Sequence, residues 1–180
     1  MRNRYGVAVV AALISVLPLA SAGARGLGGI TWGQEVFESS PSDSGLGSRL
    51  LGVYGYDVDY SGRRTGAFAL AIYSDASPPV AQGGFFGCLV GQELRQAGTL
   101  MAVNLWAGVG GLTAGRGVPS SGSFAGFAEL SGEIGVTVMP GLLLTGYAGL
   151  QAMSAISSHE AFFSRVMYSP ILGVRIAWGG

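Results

Sequence analysis

Two carboxylates, Glu129 and Glu133, form the first residue pair in this chain whose types could support catalysis. Paired carboxylates carry out acid–base work in glycosidases, where they stand at a fixed separation across the scissile bond. Here they fall in an alternating segment, and four residues along a strand span roughly 13 Å. That distance is too long for this chemistry, so the pair does not predict a glycosidase.

His159 is the only histidine, and Ser157 and Glu160 lie beside it in the sequence. Serine, histidine and a carboxylate are the residue types of a hydrolytic triad. The members of a working triad converge in space, and residues adjacent in sequence rarely do so. An acyl hydrolase using these three residues is kept as an alternative function.

Other chemistry has little support, and we expect no cofactor. Cys88 is the only cysteine, which excludes an internal disulfide and a cysteine-based metal site. The glycine-rich piece 108–111 precedes no helix, so it does not predict a phosphate-binding loop. The sequence also contains no cluster of metal-ligand residues.

The N-terminus predicts a cleaved secretory signal over residues 1–22. Arg2 and Arg4 precede an apolar run from Val7 to Leu19, and small residues follow at 20–22. We expect cleavage after Ala22, with Ala24 as the second choice, leaving one domain over 23–180. Removing two of the ten basic residues leaves eight against ten acidic ones, a formal charge of −2. This balance argues against a nucleic-acid partner.

Two alternating segments, Ser123–Val138 and Leu142–Met153, flank Met139-Pro140-Gly141. Each has one continuous apolar face and one mixed face, as strands do, and we expect Val138 to pair with Leu142 in a hairpin. Because the mixed face carries the charges, it predicts the interior of a transmembrane barrel.

The rest of the chain also divides into alternating segments joined by turns and loops. After the signal, no apolar run is long enough for a helical span. Connections alternate between long and short, as in outer-membrane barrels with both ends in the periplasm. We therefore predict an all-β, eight-stranded antiparallel up-and-down transmembrane barrel. The predicted strands are Leu27–Val36, Arg49–Tyr60, Thr65–Tyr73, Gly84–Arg95, Thr99–Gly110, Ser123–Val138, Leu142–Met153 and Arg165–Trp178.

Strand faces predict which side chains fill the lumen. The large even residues of the second and third strands, such as Tyr54 and Phe68, are expected to face lipid, and Pro170 is expected to cause a bulge. Arg175 is expected within ion-pair reach of Asp57, Asp59 or Glu93. The predicted lumen ion-pair network is Asp57, Asp59, Glu93, Arg95, Glu129, Glu133 and Arg175, joined by the polar residues Arg49, Asn104, Tyr147 and Gln151.

These features together resemble the small eight-stranded bacterial outer-membrane barrels. In that class the assembly machinery reads an amphipathic last strand ending in an aromatic residue, and Tyr168, Leu172, Val174, Ile176 and Trp178 match that shape. Trp32, Tyr54, Tyr60, Tyr168 and Trp178 suit lipid-interface girdles. The resemblance implies an outer-membrane location, membrane lipid and the assembly machinery as partners, and a structural or surface-interaction role. The alternatives are a hydrolase resembling the lipid A deacylases, through His159, and a small channel.

Overall fold

The computed structural model describes residues 25–36, 48–73, 81–114, 122–157 and 166–179. These residues form a closed antiparallel barrel in which each strand pairs with its neighbours in sequence and the first pairs with the last. No helix among them is long and apolar enough to cross a membrane. The strands are β1 Arg25–Glu35, β2 Arg49–Val58, β3 Arg63–Tyr73, β4 Ala81–Gln96, β5 Thr99–Ala114, β6 Gly122–Met139, β7 Leu142–Ser157 and β8 Met167–Gly179.

The predicted fold class is confirmed, including strand number and strand order. The predicted signal segment 1–22 lies outside the described residues, and the four long connections fall largely on the undescribed ranges 37–47, 74–80, 115–121 and 158–165. The three short connections lie at the opposite end of the barrel, which we call the short-turn end. The other is the long-loop end.

The stagger of the strands fixes the width of the lumen. One row of paired residues begins beside Trp178 on β8, crosses the other seven strands and returns to β8 at Tyr168. The shear, which is the offset along β8 after one circuit of the barrel, is therefore ten residues. An eight-stranded barrel is just wide enough for its own side chains to fill.

The predicted faces of β1 and β4–β8 are confirmed. Large apolar residues of these strands, such as Phe86, Leu130 and Val174, stand exposed on the outer wall. Between them, Thr31, Asn104, Trp106 and the predicted charged residues of β6 and β8 point inward and are buried. Along six of the eight strands, therefore, large apolar side chains face outward and charged ones face inward, which is the reverse of a soluble protein.

The predicted faces of β2 and β3 are wrong. Tyr54, Tyr56 and Phe68 are buried in the lumen, and the alanines of β3, including Ala69, lie on the outer wall. Because both faces of these strands are largely apolar, hydrophobicity alone does not orient them. Size decides instead, since bulky side chains are needed to fill the lumen opposite the inward glycines of other strands.

Two local expectations also fail. Met139, rather than Val138, pairs with Leu142, because a register shift at Val138 leaves a two-residue turn. At Pro170 the pairing with β7 continues without a bulge. In an antiparallel strand a residue's N–H and C=O point the same way, and the Pro170 carbonyl accepts from the Val36 N–H, where β1 ends. The missing N–H therefore costs β8 no ladder bond to β7.

The β4–β5 turn offers a stabilising substitution. Ala97 and Gly98 have φ values of 49° and 83°, so both central residues adopt the left-handed region. This is the pattern of a type I′ turn, which favours Asn-Gly, and the left-handed region costs a non-glycine residue roughly 1–2 kcal/mol. We expect Ala97→Asn to raise the free energy of unfolding by about 0.5–1 kcal/mol in urea titrations. An unchanged or lower stability would contradict this turn geometry.

Candidate functional site

The lumen holds a cluster of ionised side chains, which we call the lumen network. Its five buried members come from four strands, and β6 contributes two because residues four apart share a face. Closure of the sheet brings β8 within reach of β6 across the lumen. The buried members are Arg64, Glu93, Glu129, Glu133 and Arg175.

Arg175 lies at the centre of the lumen network. Its Nη2 donates to Glu129 Oε1 at 2.6 Å, and its Nη1 donates to Glu133 Oε1. The guanidinium carbon also lies 3.8 Å from the ring centroid of Tyr147 and 4.3 Å from that of Trp106. Two carboxylates and two aromatic faces thus compensate for the desolvation of this cation.

Arg64 links the remaining carboxylates. Its Nη1 donates to Glu133 Oε2 at 2.8 Å and its Nε donates to Glu93 Oε2 at 2.9 Å. The other Glu93 oxygen accepts from Arg95 Nε at 2.9 Å. Glu133 and Glu93 therefore each bridge two arginines, and the ion pairs run without a break from Glu129 to Arg95.

Aromatic side chains pack against the lumen network. Trp106 contacts Phe68 with ring centroids 5.0 Å apart and Tyr54 at 5.6 Å. Phe127 contacts Phe68 at 5.7 Å and Phe85 at 5.4 Å. These five rings form what we call the aromatic layer, which adjoins the lumen network where Trp106 contacts Arg175.

The structure brings five of the seven predicted network residues together and separates two. Glu93, Arg95, Glu129, Glu133 and Arg175 join as predicted, with Arg95 at the edge. Asp57 alternates with buried Tyr56 and Val58 and so lies on the outer wall, as does Arg49 beside buried Leu50. Asp59 is exposed in the β2–β3 turn. The face error on β2 explains these misplacements.

The predicted partners of Arg175 are also wrong. It pairs with Glu129 and Glu133, and Glu93 joins it only through Arg64 and Glu133. The polar residues Asn104, Tyr147 and Gln151 lie in the lumen as predicted.

Arg64 is a network member that the sequence does not predict, because it falls between the predicted strands Arg49–Tyr60 and Thr65–Tyr73. The structure begins β3 at Arg63, which places Arg64 on the inward face. Arg64 shares its parity with Phe68, Leu70 and Ile72. Because the neighbouring Arg63 falls on the alanine face, the charges of β3 do not by themselves indicate which face points into the lumen.

Asp59 orders the β2–β3 turn outside the barrel wall. Its Oδ1 accepts hydrogen bonds from the Ser61 hydroxyl at 2.6 Å, the Arg63 N–H at 3.0 Å and the Ser61 N–H at 2.8 Å. These bonds, the Ser61 hydroxyl first, hold the pKa of the Asp59 carboxyl below its usual value.

The lowered pKa gives the turn a pH dependence. A carboxyl with a folded-state pKa below its unfolded value stabilises at neutral pH, and that contribution is lost as pH falls through the folded value. We expect the protection factors of the Ser61 and Arg63 amides, which remove the intrinsic pH dependence of exchange, to fall as this carboxyl is protonated. In Asp59→Ala the exchange should be fast already at neutral pH; slow exchange there would contradict the role of Asp59.

The hydrolase alternative is not tested by the structure. His159 and Glu160 lie outside the described residues, and Ser157 is the last residue of β7 instead of a loop residue. Within the described ranges no three histidine, cysteine or acidic residues are grouped so that they could hold a metal ion. The two β6 carboxylates that share the lumen are both committed to guanidinium groups.

Among solved structures, the chain is similar to Neisserial surface protein A, with a TM-score of 0.62 and 10% sequence identity. The alignment covers 88% of this chain and 98% of that chain. No family model matches the chain, and no curated protein matches it either. At this identity the similarity shows a shared fold: a closed barrel of eight antiparallel strands.

Proposed function

We propose that the protein is an integral β-barrel of the bacterial outer membrane, with a structural or surface-interaction role. The observation that carries the proposal is the inversion of the barrel. Large apolar side chains stand exposed around the outer wall, whereas the five buried ions lie inside. In water this arrangement would expose a continuous apolar surface, and in lipid the same surface is buried.

The outer wall also suits a bilayer at its two ends. Trp178 on β8 is exposed near the short-turn end, and Tyr168 on the same strand is exposed near the long-loop end. Aromatic side chains favour the lipid–water interface, where an apolar ring and a polar tip are both accommodated. Membrane lipid is therefore the proposed partner of the wall, and the barrel assembly machinery the proposed partner of β8.

The similarity to Neisserial surface protein A supports the same proposal, since that protein is named for a surface location and has this fold. A lumen filled by the aromatic layer and the ion pairs favours a structural role over a channel. Steady single-channel steps in planar bilayers would contradict the filled lumen.

Membrane fractionation with heat-modifiable migration in detergent gels tests the proposal. We expect the protein in the outer-membrane fraction, and a folded band that migrates differently from the boiled one because closed barrels resist detergent unfolding. Recovery as a soluble periplasmic protein would overturn the membrane assignment.

The lipid-facing wall also predicts the effect of an added charge. Val174 lies on the outer face in the middle of β8, paired with Gly146 and Trp32. Val174→Arg should lower the free energy of unfolding in lipid vesicles by about 2–4 kcal/mol at the bilayer midplane, and less nearer an interface. Val174→Leu is the matched control and should be close to neutral. An equal effect of both substitutions would contradict a lipid-facing Val174.

A further inference from the structure

The apolar part of the outer wall has a different height on different strands. On β2, Arg49 and Asp57 both lie on the outer face, and only Leu51, Val53 and Gly55 stand between them on that face. The outer face of β6 carries eight residues in succession without a polar side chain. These eight are Phe124, Gly126, Ala128, Leu130, Gly132, Ile134, Val136 and Val138. The apolar run is therefore much shorter on β2 than on β6.

Strand geometry converts these runs into heights. A strand rises about 3.3 Å per residue, and the strands of such a barrel tilt by about 40° from its axis. Arg49 and Asp57 are then separated by roughly 20 Å along the axis, and Phe124 and Val138 by roughly 35 Å. The apolar band of an outer-membrane barrel is about 25 Å tall. One side of this barrel is thus shorter than such a band, and the other side is taller.

The neighbouring strands continue both trends. On β1, outward Gln34 pairs with Arg49 near the long-loop end, and on β3 outward Arg63 lies at the short-turn end. We call the outer wall of β1–β3 the narrow sector. The outer face of β5 carries no polar side chain from Met101 to Gly111, and that of β7 carries none from Leu142 to Ala152. We call the outer wall of β5–β7 the tall sector.

The bilayer is the partner that adjusts to this mismatch. The barrel is closed by strand pairing all the way round, so one side cannot shorten while the other lengthens. A charge in hydrocarbon is unfavourable, and the Asp57 carboxylate is too short to extend far towards water. Apolar side chains of the tall sector left in water are unfavourable as well. Lipid chains are soft, and a change of local bilayer thickness costs little for each ångström of mismatch.

We propose that the barrel deforms the bilayer around it, thin against the narrow sector and thick against the tall sector. Lipids with short or disordered acyl chains fit the narrow sector, and lipids with long extended chains fit the tall sector. A tilt of the whole barrel does not remove the difference, because tilting moves both edges of a sector in the same direction. This inference rests on the proposed membrane location and adds the kind of lipid that each side of the wall contacts.

Nitroxide labels at matched levels test the proposal. The paired rows climb ten residues over eight strands, so positions on different strands can be assigned a common level along the axis. Leu51 in the narrow sector shares a level with Leu150 in the tall sector, and Gly55 shares a level nearer the short-turn end with Val103. All four lie on the outer wall, and a Cβ added at Gly55 meets no atom closer than 3.7 Å. Each would be changed singly to cysteine in a Cys88→Ala background.

Power-saturation EPR with oxygen and a nickel chelate gives the depth of each nitroxide in phosphatidylcholine vesicles. We expect the label at Leu51→Cys to lie about 5 Å shallower than that at Leu150→Cys, and the label at Gly55→Cys about 5 Å shallower than that at Val103→Cys. Equal depths within each pair would overturn the proposal, and so would differences of opposite sign in the two pairs, which indicate a tilted barrel. Stronger contact with nickel than with oxygen at all four sites would overturn the membrane location itself.

Removing the polar edge of the narrow sector links the depth to its cause. Gln34→Leu combined with Arg49→Leu lengthens the apolar runs of β1 and β2 towards the long-loop end. The label at Leu51→Cys should then lie about 3 Å deeper, and the label at Leu150→Cys should stay at its depth. An unchanged depth at Leu51→Cys in this double variant would overturn the proposal.

A second pair keeps the test valid if a labelled variant does not fold, as judged by heat-modifiable migration. Ala71 in the narrow sector and Ala128 in the tall sector also share a level and lie on the outer wall. The label at Ala71→Cys should lie about 5 Å shallower than that at Ala128→Cys. Spin–spin broadening at Leu51→Cys or Ala71→Cys would show a second copy of the barrel against the narrow sector in place of lipid, and would overturn the proposal.

Discussion

Arg175→Met is expected to lower the free energy of unfolding by about 3–5 kcal/mol, measured by urea titration in lipid vesicles. Methionine approximates the length of the arginine stem but removes the guanidinium that neutralises Glu129 and Glu133. Both carboxylates are buried, so the loss leaves uncompensated charge in a medium that solvates it poorly.

A matched control separates the ion pair from the mere loss of an arginine. Arg63 lies exposed on the outer face of β3, and Arg63→Met should change stability by no more than about 0.5 kcal/mol. Adding Glu129→Gln to Arg175→Met should restore part of the loss, because Glu129 pairs with Arg175 in the lumen network, whereas Glu133 keeps its pair with Arg64. Equal effects of the two arginine substitutions would contradict a central role for Arg175.

Phe68→Ala should cost a similar amount, about 3–5 kcal/mol, for a different reason. The Phe68 ring contacts both Trp106 and Phe127, so its removal leaves a cavity in the middle of the aromatic layer. The same urea titration measures the loss. This prediction depends on the corrected face of β3, because a lipid-facing phenylalanine leaves no cavity.

Ala69→Phe is the complementary control on the adjacent position. Ala69 lies on the outer wall between inward Phe68 and Leu70, where lipid can yield to a larger side chain. We expect this substitution to be close to neutral. If Ala69→Phe costs about 1–3 kcal/mol, as overpacking of a filled interior does, and Phe68→Ala is harmless, the face of β3 is the one first predicted from sequence.

The sequence predicts the barrel and most of its inside surface for a simple physical reason. On β4, β6 and β8 charged residues such as Glu93, Glu133 and Arg175 alternate with large aliphatic ones, so only one orientation keeps charges out of lipid. On β2 and β3 both faces are mostly apolar, so either face could point to the lipid or into the lumen without placing many charges in lipid. The choice there depends on which side chains fill a lumen formed by all eight strands together, and a single strand's pattern does not contain that information.

The partners within the lumen network were beyond prediction for a related reason. The shear of ten residues decides which inward side chains meet across the lumen, and it emerges only when β1 pairs with β8. Arg175 therefore meets the two β6 carboxylates. The alternation of side chains also puts Glu93 in the lumen, so it does not distinguish Glu93 from Glu129 and Glu133 as a partner of Arg175. Arg64 escaped prediction because the four-residue connection before β3 lies at 59–62, two residues earlier than the predicted strand ends place it.

The three tryptophans allow the most direct test of the central claim that the outer wall faces lipid and the network fills the lumen. Trp32 and Trp178 are exposed on the outer wall, whereas Trp106 is buried against Arg175. Variants retaining a single tryptophan, with the other two changed to phenylalanine, would be placed in vesicles of lipids brominated on their acyl chains. The account predicts strong quenching of Trp32 and Trp178 fluorescence and little quenching of Trp106. Quenching of Trp106 as strong as that of Trp32, or no quenching of any tryptophan, would contradict it.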